Sequence, residues 1–338
     1  MIMRPLTEYC TLNMGQSPDS KTYNTQGKGL PFYQGNADFG ETHPITRVWC
    51  SAPVKVAEDG DILISVRAPI GAMNMAVERC CIGRGLAALT PIRNKCSKQF
   101  LYYALQSKVD SLIAQGTGST FKAISKKVLE ATCIPAYSTI EQEQIAETIG
   151  RVDNAIAARR NQLLLLDQLV KSRFIELFGD PIKNTQHRPT TAFVNVVTMQ
   201  RGFDLPVQDR KQSGNIPVYG SNGVLDHHNQ AKVCNGGVIT GRSGTIGKVF
   251  YTTGAYWPLN TTLFSVDTHE NNIIYLAHLV RMFNLDRFTE GTGVPTLNRN
   301  KFHSAPIIDV PIDEQNQFAA FVEQTDKSKL CGKMEVAA

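Results

Sequence analysis

The sequence predicts an α+β protein in which two similar domains, related by an internal repeat, are joined by a long helix of coiled-coil type. Three observations predict it. Residues 138–178 have a helix start, a helix stop and no breaker between them. The segments before and after that helix carry the same landmarks in the same order. Within each segment, short β-type runs bounded by Gly and Pro precede a patch of helical periodicity.

The helix comes first because everything else is placed by it. Ser138 and Glu141 have the spacing of a capping box, in which hydroxyl and carboxylate satisfy two orphan amides, and Gly179-Asp180-Pro181 reads as a C-cap glycine followed by a proline stop. At about 1.5 Å per residue the segment is roughly 60 Å long. Alternate steps of four and three from Ile145 pass through Ile149, Val152, Ile156, Arg159, Leu163, Leu166, Val170, Arg173 and Leu177, a seam that is apolar except for two arginines. Leu164, Leu165, Leu169 and Phe174 widen the stripe, which predicts packing against more than one neighbour.

The repeat is legible as an ordered set. Gly15 to Pro18 (GQSP) opens the first half as Gly202 to Pro206 (GFDLP) opens the second, and Pro31-Phe32-Tyr33 with Asn36 is echoed by Pro217-Val218-Tyr219 with Asn222. GDILISVRAPIG, from Gly60 to Gly71, aligns without a gap on GGVITGRSGTIG, from Gly236 to Gly247; Gly116-Thr117-Gly118 matches Gly291-Thr292-Gly293; and Glu141 to Ala146 matches Glu314 to Ala319. Runs such as residues 61–66 and 237–240 read as strands, and residues 98–114 and 272–285 as helices, giving each domain a mostly antiparallel sheet. Asp313, after Pro311, is the expected N-cap of a second helix.

Composition narrows the function classes. A chain of 338 residues, 42% hydrophobic and 19% charged, is long enough for two cored domains. The opening MIMRPLTEYC lacks the apolar run of a signal peptide, and no window approaches the length a membrane span requires, so neither secretion nor membrane insertion is expected and the expected location is the cytoplasm. The eight cysteines (Cys10, Cys50, Cys80, Cys81, Cys96, Cys133, Cys234 and Cys331) are scattered without a CxxC pair, and they read as reduced and structural, with no metal site. A net charge of +5 permits an anionic partner without demanding one.

No catalytic constellation emerges. GRSGTIGKV, from Gly241 to Val249, resembles a phosphate cradle, but its spacing is wrong and Val249 stands where a Ser or Thr would hold magnesium; Gly83-Arg84-Gly85 lacks the third glycine of a dinucleotide fingerprint. HExxH, GxSxG and the Pro-Pro-aromatic signature of amino-methyltransferases are absent. His227-His228 reads as a solvated loop pair. What remains is polar, aromatic and basic chemistry on Gly/Pro-punctuated stretches: Lys21, Tyr23, Lys28, Tyr33, Gln34, Asn36, Arg67 and Lys122 in the first half, and Arg201, Arg210, Lys211, Tyr219, Ser221, Asn222, Arg242, Ser243, Lys248, Asn298, Arg299 and Lys301 in the second. Arg and Lys neutralise phosphates or reach guanine edges, and Asn and Gln pair bidentately with adenine, so these are candidate DNA-binding residues.

With those residues in view, the chain resembles the DNA-specificity subunits of Type I restriction-modification enzymes over nearly its whole length. The resemblance rests on the twin domains, the strand-turn motifs at Gly60 to Ser65 and Gly244 to Gly247, the Gly-Thr-Gly turns and the Pro…Glu-Gln…Ile helix openings. It rests most on the central helix ending Lys171-Ser172-Arg173-Phe174 and Leu177-Phe178-Gly179-Asp180-Pro181. It implies two target-recognition domains, residues 1–137 and 180–311, set apart by helices in an antiparallel coiled coil with pseudo-two-fold symmetry. Each domain would read one half of a bipartite site on double-stranded DNA. The helices, through Ile145, Ile149, Val152, Ile156, Leu163, Leu166, Val170 and Leu177, would dock two methylation subunits that methylate adenine N6, and a motor-nuclease restriction subunit would join for cleavage. The chain itself would be non-catalytic and cofactor-free, with S-adenosylmethionine, ATP and magnesium on the partner subunits.

One departure from the family is expected. The central helix occupies residues 138–179, whereas the second helix, in residues 312–338, reads as running only from about Asp313 to Lys329 before a tail. At about 1.5 Å per residue it covers some 25 Å of its partner. The stripe from Leu163 to Leu177 is therefore expected to lie open, favouring self-association or weakened subunit assembly. The competing expectation is a coiled-coil interaction scaffold whose two domains bind protein.

Overall fold

The computed structural model of the chain describes residues 2–118, 122–210, 214–291 and 295–337, with side chains as far as Leu330. Lys211, Thr292 and Gly293, singled out in the sequence, lie outside the described residues. The chain forms two compact units, Met1–Ala155 and Ile156–Ala338.

In the first unit the strands Cys10–Met14, Leu86–Pro91, Ile62–Ser65 and Met73–Met75 form an antiparallel sheet in that order. In the second, Thr198–Arg201, Thr262–Asp267, Gly237–Gly241 and Val249–Thr252 form an antiparallel sheet in the same order of roles. Each unit adds a parallel strand pair, Leu30–Tyr33 with Cys80–Ile82 and Ile216–Gly220 with Trp257–Pro258, and a short antiparallel pair, Met3–Pro5 with Cys133–Pro135 and Thr190–Ala192 with Pro306–Ile308.

The period-two pattern of the central strands does what a doubly buried strand must. Ile62 and Ile64 enter one core cluster, with Phe100, Leu101 and Leu105 of the following helix, while Leu63 enters another with Tyr33 and Ile82. In the second unit Val238 packs under the helix Ile273–Phe283, and Ile239 faces Tyr219, Tyr256 and Phe264. The turns that end these strands require glycine: Gly71 and Gly247 have φ of +89° and +84°, and an added Cβ would meet Val109 at 2.6 Å and Asp286 at 2.7 Å respectively.

The central helix runs Thr139–Phe178. Its start is the expected capping box: the Ser138 amide and hydroxyl both donate to Glu141 Oε2 (2.8 and 2.7 Å) and the Glu141 amide donates to Ser138 Oγ (3.3 Å). Its end is Gly179 at φ +75°, with the Gly179 amide donating to the Ile175 carbonyl (2.8 Å).

Five sequence expectations are corrected. The closing helix spans Ile312–Ala337, so the segment after Lys329 is helical and the helix starts one residue before Asp313, which sits in its first turn. Contacts along it descend the central helix: Phe318 packs on Phe178 and Phe174 (5.6 and 5.4 Å), Phe321 lies under Arg173 (5.9 Å), and Lys329 Nζ pairs with Asp167 (2.8 Å). This is an antiparallel pair whose overlap begins at the Phe178 end. The stretch expected to lie open is therefore covered only along the face that meets this helix, where Val170 is 3% and Phe174 0% exposed and Leu163, Leu166 and Leu177 are half-buried.

The seam is also displaced. Phe174 and Phe178 anchor the second unit's core against Tyr275 and Phe318, whereas Leu164, Leu165 and Leu169 are exposed, as are Ile149 and Val152. Residues 98–114 form two helices, Lys98–Gln106 and Val109–Ala114, because Ser107 Oγ turns back to the Ala104 carbonyl (2.7 Å) and ends the first. Finally, His227 and His228 lie in the strand Gly223–His228, and His228 is buried with its ring edge-to-face on Trp257 (5.3 Å).

None of the described cysteines forms a disulfide; Cys10, Cys50, Cys80, Cys81 and Cys96 are buried, and Cys133 and Cys234 are exposed. Among the described residues, no group of His, Cys, Asp and Glu has the arrangement of a metal site, and no helix is long and apolar enough to cross a membrane.

Candidate nucleic-acid interface

The strand register of the second unit gathers candidates that are far apart in sequence. Arg201 ends the strand Thr198–Arg201 and pairs with Leu263; Arg242 follows the strand Gly237–Gly241, its amide donating to the Thr261 carbonyl (2.8 Å) and its carbonyl accepting from the Leu297 amide (2.8 Å). Asn298 then caps the short helix Arg299–His303, Oδ1 accepting from the Asn300 amide (3.1 Å), and Arg299 Nη1 reaches back to the Met199 carbonyl (3.4 Å). Together Arg201, Arg242, Asn298 and Arg299 line one open cleft of about 350 Å³ with Glu290 and Thr296. The Glu290 carboxyl is held below its ordinary range by its bond to Lys301, so the one acid on the cleft is already paired. The arginines of the cleft have no ion-pair partner among the described residues.

A second group forms on neighbouring loops. Lys248 Nζ donates to Asn222 Oδ1 (2.9 Å), both side chains being exposed, and Ser221 sits beside Gly241 and Gly244. Ser243 bridges to Thr296. In this arrangement Asn222 and Lys248 present N–H donors outward, with one Asn222 lone pair already engaged. Arg210 instead pairs with Asp226 (3.6 Å) and is mostly shielded.

The first unit is less concentrated. Arg67 and Lys122 are brought together by the bridge from Arg67 to Ala123 and by the Ala68 amide donating to the Lys122 carbonyl (3.1 Å); both side chains are exposed. Lys21 is exposed on the short helical turn Ser20–Thr22, and Lys28 is exposed on the loop before Leu30–Tyr33, where Asn24 braces it through bonds to its amide and carbonyl (2.9 and 2.8 Å). Gln34 is exposed, with its amide on Asp38 (2.7 Å), and Asn36 is half-buried.

Three aromatic candidates are structural. Tyr33 is 2% exposed, with its hydroxyl on Thr46 Oγ1 (2.7 Å), Tyr219 is 9% exposed and packs on Tyr256 (5.8 Å), and Tyr23 stacks on Phe32 (4.6 Å) with its hydroxyl on the Pro18 carbonyl (2.9 Å). Tyr33 and Tyr219 alternate into the sheet cores and cannot stack on a base from there. Glu290, Thr296 and Asn300, which also line the cleft, carried no local motif; pairing of Thr289–Glu290 with Thr296–Leu297 brings the first two to it, and Asn300 arrives on the helix Arg299–His303. Sequence reasoning also missed a larger cavity of about 540 Å³ between the central and closing helices, where Lys329 bridges Asp167 and Asp326 (2.8 and 2.9 Å).

The model of the type I restriction modification DNA specificity domain matches residues 2–166 and again residues 195–332. The chain belongs to this family. Among curated relatives of the type I specificity family, it is 42% identical over 155 residues to a type I restriction enzyme MjaX specificity subunit of Methanocaldococcus jannaschii, an alignment covering 46% of this chain and 36% of that one. It is 25% identical over 185 residues to the type I restriction enzyme MjaIX specificity subunit of the same organism, covering 51% and 43%. The chain thus spans less than half the length of the curated relatives it matches. The crystal structure of a type I restriction-modification S subunit from M. genitalium shares the fold, with a TM-score of 0.67 over 99% of this chain and 92% of that one at 16% identity.

Proposed function

We propose that the chain is the non-catalytic DNA-specificity subunit of a type I restriction-modification complex. Each unit reads one half of a bipartite site on double-stranded DNA. The central and closing helices dock methylation subunits that modify adenine, and those partners, with a restriction subunit, carry S-adenosylmethionine, ATP and magnesium. One observation supports this reading above the others: the same strand order and register occur twice, and each copy presents basic and amide side chains on the loops at the ends of its strands. A duplicated surface of that chemistry suits a ligand that itself presents two half-sites with a phosphate backbone between them. The exposed leucines Leu164, Leu165 and Leu169 are apolar surface available to docked subunits or to a second copy.

The test is a binding titration of the full chain with duplex DNA over a range of salt. A DNA reader loses log affinity linearly with log salt, by about 0.9 per phosphate neutralised. Affinity for duplex that is absent at low salt assigns the chain instead to protein scaffolding.

A further inference from the structure

The two units share a fold but differ at the cleft, and the register identifies the equivalent positions. Leu86 pairs with Ser65 and Ala87 with Met14, as Thr262 pairs with Gly241 and Leu263 with Arg201, so Met14 holds the place of Arg201. The Gly15 amide donates to Leu86 as the Gly202 amide donates to Thr262, which fixes the same alignment independently. The Ile124 amide donates to the Val66 carbonyl (2.9 Å) as the Leu297 amide donates to that of Arg242 (2.8 Å), so Val66 holds the place of Arg242. Ser125 precedes the helix Lys126–Ala131 as Asn298 precedes Arg299–His303, so Lys126 holds the place of Arg299. Three arginines in the second unit thus correspond to a methionine, a buried valine and a lysine already paired with Glu130 (3.3 Å) in the first.

From this we infer that Arg201, Arg242 and Arg299 form a three-arginine phosphodiester clamp that the first unit lacks at the equivalent positions. The inference rests on the DNA-reading function proposed above. Guanidinium groups present planar N–H forks that match phosphate oxygens, and three of them round a cleft of about 350 Å³ leave net positive charge after the single paired carboxylate, Glu290. The cleft is open, as a backbone phosphate requires, and two of its polar side chains are already committed: Asn298 to its helix cap and Glu290 to Lys301. The arginines are the charged groups left to bind, Arg299 through the N–H groups not directed at the Met199 carbonyl, and they neutralise charge without reading sequence.

The experiment compares the slope of log affinity against log salt, on a random-sequence duplex, for the full chain and for R201Q, R242Q, R299Q and K126Q. Circular dichroism checks folding, and R201K and R242K keep the charge if a glutamine variant fails to fold. The expected result is a slope flatter by about 0.9 for each phosphate that the second-unit variants no longer neutralise, with the parent slope kept in the lysine variants and in K126Q. Unchanged slopes with altered base preference at one position make these arginines base readers and overturn the clamp. Unchanged slopes while inorganic phosphate alone perturbs the arginine resonances assign the cleft to a free anion and equally overturn it. A wild-type chain with no duplex affinity at all sinks the DNA-reading function itself, a result distinct from a salt-dependent wild type whose variants keep its slope.

Discussion

Gln142 and Gln315 play equivalent bridging roles in the two units. Gln142 Oε1 accepts the Ser97 amide at 2.9 Å while its Nε2 donates to the Lys95 and Tyr137 carbonyls; Gln315 Oε1 accepts the Asn272 amide at 2.9 Å while its Nε2 donates to Asn271 Oδ1 and the Val310 carbonyl. Both are essentially fully buried, and each ties the first turn of a long helix to the start of the helix that packs on its sheet. Replacing either by leucine strands buried backbone groups at about 1–3 kcal/mol each. Denaturant unfolding of Gln142→Leu and Gln315→Leu should show a clear drop in midpoint, which Gln144→Leu, on the exposed face, does not share.

Phe174 and Phe178 carry the central helix into the core of the second unit. Truncating either to alanine should cost about 3–5 kcal/mol, as for other buried phenylalanines. Changing the exposed Leu164, Leu165 and Leu169 to glutamine should cost within about 0.5 kcal/mol each. Light scattering on that triple variant checks the associative role of the leucines: any self-association of the parent chain should weaken while its thermal midpoint holds.

His278 faces Arg281 (3.3 Å to its Nδ1), with Asp326, Lys329 and Asp167 of the packed helices beyond, and burial together with the Arg281 charge pushes its pKa down to about 4. The unfolded chain therefore takes up this proton first as pH falls below about 6.5, so the contribution of His278 lowers stability progressively from there toward pH 4. His278→Gln should flatten that part of the stability curve. Glu141 moves the same way by another route: the Ser138 hydroxyl and amide hold its carboxyl below 4.5, so the capping box stabilises above that pH and weakens as pH falls through the folded value. An NMR titration should show Glu141 returning toward its ordinary range in Ser138→Ala.

Asn222, held by Lys248, is the best-placed amide for a base edge in the second unit. Asn222→Ala should relax one position of one half-site by about 1–3 kcal/mol and leave the other half-site intact. Binding to duplexes mutated in each half-site separately measures this; equal loss on both halves would assign Asn222 to folding or backbone binding.

Much of the fold was legible because its signals are local or ordered. The capping box at Ser138, the glycine stop at Gly179 and the paired turns at Gly71 and Gly247 are each written in a few adjacent residues. The buried face of the central helix was not, because heptad counting ranks Leu, Ile and Val alike. Which leucines are covered depends on where an antiparallel neighbour begins, and the Phe318 contact with Phe178 decides that. The cleft was half legible: its arginines stand out as loop cations, but Glu290 and Thr296 reach it only through strand pairing, and the burial of Tyr33 and Tyr219 follows from strand alternation that a loop reading overlooks.

The most direct measurement is a genome-wide map of methylated adenines in cells expressing this chain with a cognate methylation subunit. The account predicts a single motif of two short specified halves separated by a fixed unspecified spacer, methylated on adenine, with the second half changed by substitution at Asn222. An uninterrupted motif, or a methylation pattern identical with and without the chain, would contradict it.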